Sequence, residues 1–188
     1  MPEEKIFDFN SSEYKKFLKK FRTQENKKHS LIVFAGEFSA NRNYAIDELK
    51  RETMGEPVEI DLMHIITQHE EESYANIDSA ISEISKDAPL IIFKNGQQLN
   101  GAYTGYTNSL VIYSTPQEKY FLEKVKEISA PVVLELNSTS QVDNTIVRKA
   151  DAVVSFNAPS SFFENIAWKL QNMHVHGSRF LSPRPFVK

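Results

Sequence analysis

The sequence predicts an α/β protein built on a parallel sheet, and three observations carry that prediction. Short apolar runs alternate with longer segments whose apolar residues recur at helical spacing, which is the pattern of βα units. Two of the runs, LIVFA at 31–35 and LIIF at 90–93, are apolar throughout, as strands buried on both faces require. The 188 residues, 40% of them apolar and without an internal repeat or low-complexity linker, describe one domain large enough to bury a core.

Taken in order, the first element is a helix over 11–24. Tyr14, Phe17, Leu18 and Phe21 fall at i, i+3, i+4 and i+7, and Lys15, Lys16, Lys19, Lys20 and Arg22 fill the outer positions. No aromatic residue lies among these cations to stack on a base, so the basic face reads as a solvated one and no nucleic acid is expected. Residues 1–28 are therefore taken as an N-terminal amphipathic helix packed on a core spanning 29–173, with a flexible tail over 174–188. Five strands follow the helix, at 31–35, 58–62 (VEIDL), 90–93, 132–136 (VVLEL) and 152–156 (AVVSF). Helices are expected at about 42–54, 72–86, 117–128, 143–149 and 160–173. The acidic run Glu70, Glu71, Glu72 suits the N-terminal end of the second of these, where the helix dipole favours negative charge. In the last, Phe162, Phe163, Ile166, Trp168 and Leu170 are read as a core face. The stretch 95–116 fits less well, and its GAYTGYTNSLVIYST leaves an irregular loop and a short extra strand equally open.

Composition excludes several chemistries. With no cysteine there is no disulfide, thiolate metal site or Cys nucleophile. The 22 basic and 25 acidic side chains give a formal charge of −3, unlike a surface built throughout to hold nucleic acid. None of the six glycines precedes a lysine, so neither a G-x-x-x-x-G-K-[ST] loop nor a G-x-G-x-x-G fingerprint is present. His174 and His176 form an H-x-H with no carboxylate cluster beside it, and His64 and His69 are separated by an apolar pair; no metal site is expected from either. No apolar run approaches the roughly 20 residues of a membrane span, and MPEEKIFDFN has neither a basic nor an apolar leader segment, so a cytoplasmic protein without membrane contact is expected.

In an open α/β sheet, ligands bind where strands give way to loops at their carboxyl ends. The segments there are 36–43, 63–73, 94–100 and 137–143. FAGEFSANRNYAIDELKRETMG has the layout of strand, phosphate loop and helix. IDLMHIITQHEEESYANI reads as the next strand and loop, and LIIFKNGQQL as a Walker B strand. VVLELNSTSQVDNTIVRKADAVVSFNAP reads as a sensor-1 strand, an arginine-finger segment and a last core strand with its closing proline. In that order and at those separations, the four segments resemble the core of an AAA+ ATPase over about residues 30–170. The resemblance implies a five-stranded parallel sheet in the order 5-1-4-3-2, with helices on both faces in the three-layer sandwich of P-loop NTPases and with strand 31–35 central.

The same resemblance implies that the chemistry has been erased. Of the three glycines of GPPGTGKT only Gly36 remains; Glu37 follows it, Ser39 and Asn41 take the other glycine places, Arg42 stands for the lysine and Asn43 for the Mg²⁺-ligating hydroxyl. Asn41 tolerates the left-handed backbone that such a loop needs, whereas Ser39 does not. The forked Arg42 is no substitute for a compact lysine. At Walker B the metal-holding Asp is Lys94 and the Glu that orients water is Asn95; a cation cannot ligate Mg²⁺ and an amide cannot act as general base. Asn137 matches the position of sensor 1, or is a turn former after a strand. Arg148 and Lys149 match the arginine-finger pair, or are a solvated helix end. At His69, Glu70 and Glu71 many members carry an aromatic–aliphatic–Gly triplet that grips polypeptide, and its acidic replacement argues against threading. About thirty residues follow the fifth strand, too few for the family's helical lid, so a homo-oligomer is compatible with the resemblance but a hexameric ring is not expected.

The expected function is that of an AAA+-like domain with degenerate Walker motifs, unable to hydrolyse ATP, without a catalytic residue, metal or cofactor, and acting on a protein partner as a binding or regulatory module. Two alternatives stay open: a divergent ATP-binding NTPase, and a metal-free nucleotide or anion sensor in which Arg42 and Lys94 replace the cation. The two cations repel by roughly 4 kcal/mol at 4 Å and an effective dielectric of 20, so a compensating pair, Glu37 with Lys94 or with Arg42, is expected to close the site.

Overall fold

The computed structural model describes residues 5–23, 29–53, 55–101, 114–157, 161–172, 175–176, 179–180, 185 and 187. Six strands, β1 (Ile6–Asp8), β2 (Leu31–Ala35), β3 (Val58–Asp61), β4 (Ile91–Lys94), β5 (Val132–Leu136) and β6 (Ala152–Ser155), form one parallel sheet in the order β1-β6-β2-β5-β4-β3. The expected count of five is therefore corrected to six. The five expected strands keep their relative order, and β1 extends the sheet beyond β6 through Ile6↔Val153 and Asp8↔Ser155. Three residues, two of them exposed, give β1 no apolar run to announce it.

Alternate residues of the central strands feed two separate cores. Leu31, Val33, Ala35, Ile91, Phe93, Val132 and Leu134 face one side, where α3 (Glu70–Ser82), α5 (Pro116–Lys124) and α6 (Asn144–Lys149) pack through Ile77, Phe121, Leu122 and Ile146. Ile32, Phe34, Ile92, Val133 and Val154 face the other, beneath α1 (Ser12–Thr23) and α2 (Ser39–Thr53), which contribute Tyr14, Phe21, Ala45, Ile46 and Leu49. All five side chains of β2 are buried, as its unbroken apolar sequence demands. Phe9, Phe34 and Phe156 pack together in the second core, with Phe156 edge-on to Phe34 at 5.1 Å and tilted against Phe9 at 5.2 Å.

Local chemistry fixes the helix ends. Glu70, Glu71 and Glu72 occupy the first turn of α3, where their charge meets the helix dipole. Thr115 caps α5 ahead of Pro116, its hydroxyl accepting from the Glu118 amide. Asp143 caps α6 with one oxygen that accepts from the amides of Thr145 and Ile146, each at 2.8 Å. A short helix, α4 (Gln98–Gly101), follows β4; the remainder of the ambiguous stretch, 102–113, lies outside the described residues.

The last helix, α7 (Phe162–Asn172), departs from expectation. Phe162 and Phe163 are 73% and 80% exposed and Ile166 is 40% exposed, so these three are not a core face; the side chains of Trp168 and Leu170 lie outside the described residues. Nearby, β7 (Val175–His176) pairs antiparallel with β8 (Arg179–Phe180), a short ribbon within the segment read as a flexible tail.

Candidate functional site

At the carboxyl ends of β2, β4 and β5 lies an open cleft of about 200 Å³, lined by Arg42, Asn43, Lys94, Asn95, Glu135 and Asn137 among others. Five of the residues singled out in the sequence thus share one site. Arg148 and Lys149 do not line it. They sit exposed at the end of α6, where Lys149 donates to Glu123 of α5 at 2.6 Å and Arg148 Nε bonds back to the Asn144 carbonyl at 3.2 Å.

The segment after β2 begins with a true glycine requirement. Gly36 has φ +144°, and a Cβ there would stand 2.3 Å from the Phe156 carbonyl oxygen. Beyond it the chain turns at once into α2, which already starts at Ser39, so Asn41 is a buried helical residue rather than a left-handed loop residue. The amides that a phosphate loop would present are spent locally: Phe38 donates to the Phe156 carbonyl at 3.2 Å, Ser39 to Glu37 at 3.0 Å, and Asn41 and Arg42 both to Phe38 at 3.2 and 3.3 Å. Such a turn has few donors left for an anion.

Arg42 bends back and its guanidinium donates to the Gly36 carbonyl. Its Nε lies 3.6 Å from Glu135 Oε2, an ion pair rather than a hydrogen bond, with both side chains 12% exposed. Burial raises the Glu135 carboxyl above the ordinary glutamate value, opposed by Arg42 and Lys94. Lys94 turns the other way, to Glu59 Oε2 at 2.5 Å, and Glu59 also meets Lys50 at 3.5 Å. That hydrogen bond holds Lys94 above and Glu59 below their ordinary values. Asn95, left-handed at φ 57°, donates to Asp61 Oδ1 at 2.8 Å and accepts from Gln97 at 3.1 Å, and the Asn95 bond lowers Asp61.

The expected Glu37 pairs are therefore corrected. Glu37 is exposed, and the carboxylates that compensate the cations are Glu135 for Arg42 and Glu59 for Lys94. Sequence reasoning passed over both because each sits inside a strand. The available signal was a charge interrupting an apolar run, VVLEL and VEIDL. The two pairs differ in worth. With side chains 42% and 40% exposed, Lys94–Glu59 is a solvated surface pair, and Lys94→Ala is expected to change unfolding free energy by less than about 1 kcal/mol in urea titration.

Among the described residues no group of three or more His, Asp or Glu could hold a metal ion, and no helix is long and apolar enough to cross a membrane. No family model matches the sequence, and no curated protein matches it. Among solved structures, a chain of the Escherichia coli MS115-1 HORMA:CdnC:Trip13 complex is similar at a TM-score of 0.50 and 12% identity, over 89% of this chain and 65% of that one. At that identity the likeness is one of fold: an α/β protein on a parallel sheet, spanning about two thirds of the length of its neighbour.

Proposed function

We propose that this chain is an AAA+-like domain whose nucleotide site is filled by its own side chains, so that it hydrolyses no ATP and acts as a binding or regulatory module toward a protein partner. One observation carries the reading. Arg42, which the resemblance matches to the phosphate-binding lysine, donates to the Gly36 carbonyl and pairs with Glu135, so its charge is already engaged within the chain. The loop amides already bonded within the turn or to Phe156 support it, and so do Lys94 and Asn95, which supply neither a metal ligand nor a general base at the ends they occupy. The structural neighbour belongs to a complex of several proteins, which agrees with a partner-binding role.

The test is a nucleotide titration with Mg²⁺ and with EDTA, followed by a phosphate-release assay. Binding of ATP weaker than about 1 mM, equivalent to about 4 kcal/mol, is expected in both buffers, with no phosphate release. The alternative of a metal-free anion sensor rests on Asn43, Lys94 and Asn137 lining the cleft. Submillimolar ATP binding that survives EDTA and strengthens in Glu135→Gln would favour it. Mg²⁺-dependent phosphate release that disappears in Arg42→Ala would sink both readings and leave the divergent NTPase.

A further inference from the structure

Away from the cleft, where α5 meets the start of α6, a carboxyl is buried with no cation paired to it among the described residues. Glu118 is 0% exposed. Its Oε1 accepts from the Ser114 hydroxyl at 2.7 Å, while Oε2 is buried without a donor among the described residues. Interacting with Glu118 is another acid, Asp143, 7% exposed, one of whose oxygens is already committed to two amides of α6. Two ionised carboxylates cannot share such a space without a donor between them.

The neighbouring elements offer no relief. On α5 itself the nearest cation is Lys119, which is exposed. The basic residues of α6 stand at its far end, with Lys149 engaged by Glu123. From α4, Leu99 contributes a carbonyl that binds Thr115, and Asn100 is uncharged. Across α5 on the α3 side, Lys124 is paired with Asp78 at 3.1 Å. The intervening sequence 102–113, AYTGYTNSLVIY, contains no acidic or basic side chain.

We propose that the buried Glu118 carboxyl is held as the neutral acid in the folded chain, that its proton is donated toward Asp143, and that loss of this proton to solvent loosens α5 from the N-terminus of α6. Burial first, and Asp143 in addition, push the Glu118 carboxyl up to about 7, against the lowering effect of the Ser114 hydroxyl. A carboxyl raised in the folded chain contributes stability that is complete below its unfolded pKa and is lost as pH rises through the folded one. Stability therefore declines between about pH 4.5 and 7 and levels off above, with the unfolding constant rising on the order of 100-fold.

The direct measurement is an NMR titration of side-chain carboxyl carbons in the intact protein, with Glu118 assigned through Glu118→Gln. A Glu118 resonance that titrates near pH 7, and moves toward the ordinary glutamate range in Asp143→Asn, is the expected result; Asn caps a helix as well as Asp does, so that variant keeps α6. Urea titrations from pH 5 to 8 should show the decline in the parent chain and a flatter profile in Glu118→Gln, whose amide supplies the donor at every pH. A Glu118 resonance that titrates with the exposed carboxylates would overturn the proposal even if the Gln variant failed to fold.

Discussion

Replacing Gly36 by Ala is expected to cost about 3–5 kcal/mol of unfolding free energy, near the upper end of single-residue effects. Two costs coincide. The backbone at φ +144° is one that side-chain-bearing residues rarely adopt, and the new Cβ would lie within 2.3 Å of the Phe156 oxygen and 2.6 Å of its carbonyl carbon. Neither neighbour can step aside. Phe156 donates its amide to Ala35 and its carbonyl accepts from Phe38, so a shift there breaks the join between β2, β6 and the turn into α2. Denaturant titration checks this, and a loss below about 1 kcal/mol would mean that the junction is soft.

Glu135→Ala is expected to cost about 3 kcal/mol, because it leaves the Arg42 charge in the sheet end without its carboxylate. The larger share of that cost falls on Arg42. Glu135 itself is raised by burial despite two cations, so its ionised form gains little from the folded site. The pair as a whole should therefore be dispensable. Arg42→Met combined with Glu135→Leu should recover most of the loss, and a double-mutant cycle gives the coupling directly. A double variant as unstable as the two single losses added would contradict the account.

This contrast shows what could be read from the residues and what could not. The central strands were legible because a strand buried on both faces leaves no freedom in its composition, and LIVFA and LIIF have no polar position to misplace. Gly36 stood in the sequence only as a surviving loop glycine, and its backbone requirement, φ +144° against the Phe156 carbonyl, emerges from the fold. The relative order of the strands came only with the resemblance to a family. The pairing of charges was not legible at all: Arg42 reaches a carboxylate 93 positions away across adjacent strands, set by the register Phe34↔Glu135, and nothing local to 36–43 encodes that partner. The exposed Phe162 and Phe163 mislead for the opposite reason, because helical spacing reports an apolar face without reporting what the face meets.

The register of the sheet also constrains the order in which this molecule can come into being. β2, formed early in the chain, is flanked by β5 and β6: Leu31 pairs with Val132, Ile32 with Ala152, and the leading Ile6 with Val153. A nascent chain emerging from the ribosome therefore holds its most apolar strand without either neighbour until about seven-tenths of the 188 residues have been made, and without the second until about four-fifths. The first half can pair only β3 with β4, and both pairings of β2 must bridge a hundred residues or more of loop entropy, Leu31 to Val132 and Ile32 to Ala152. Such a chain is expected to condense late, with α1 and α2 able to cover one face of LIVFA before its strand neighbours arrive.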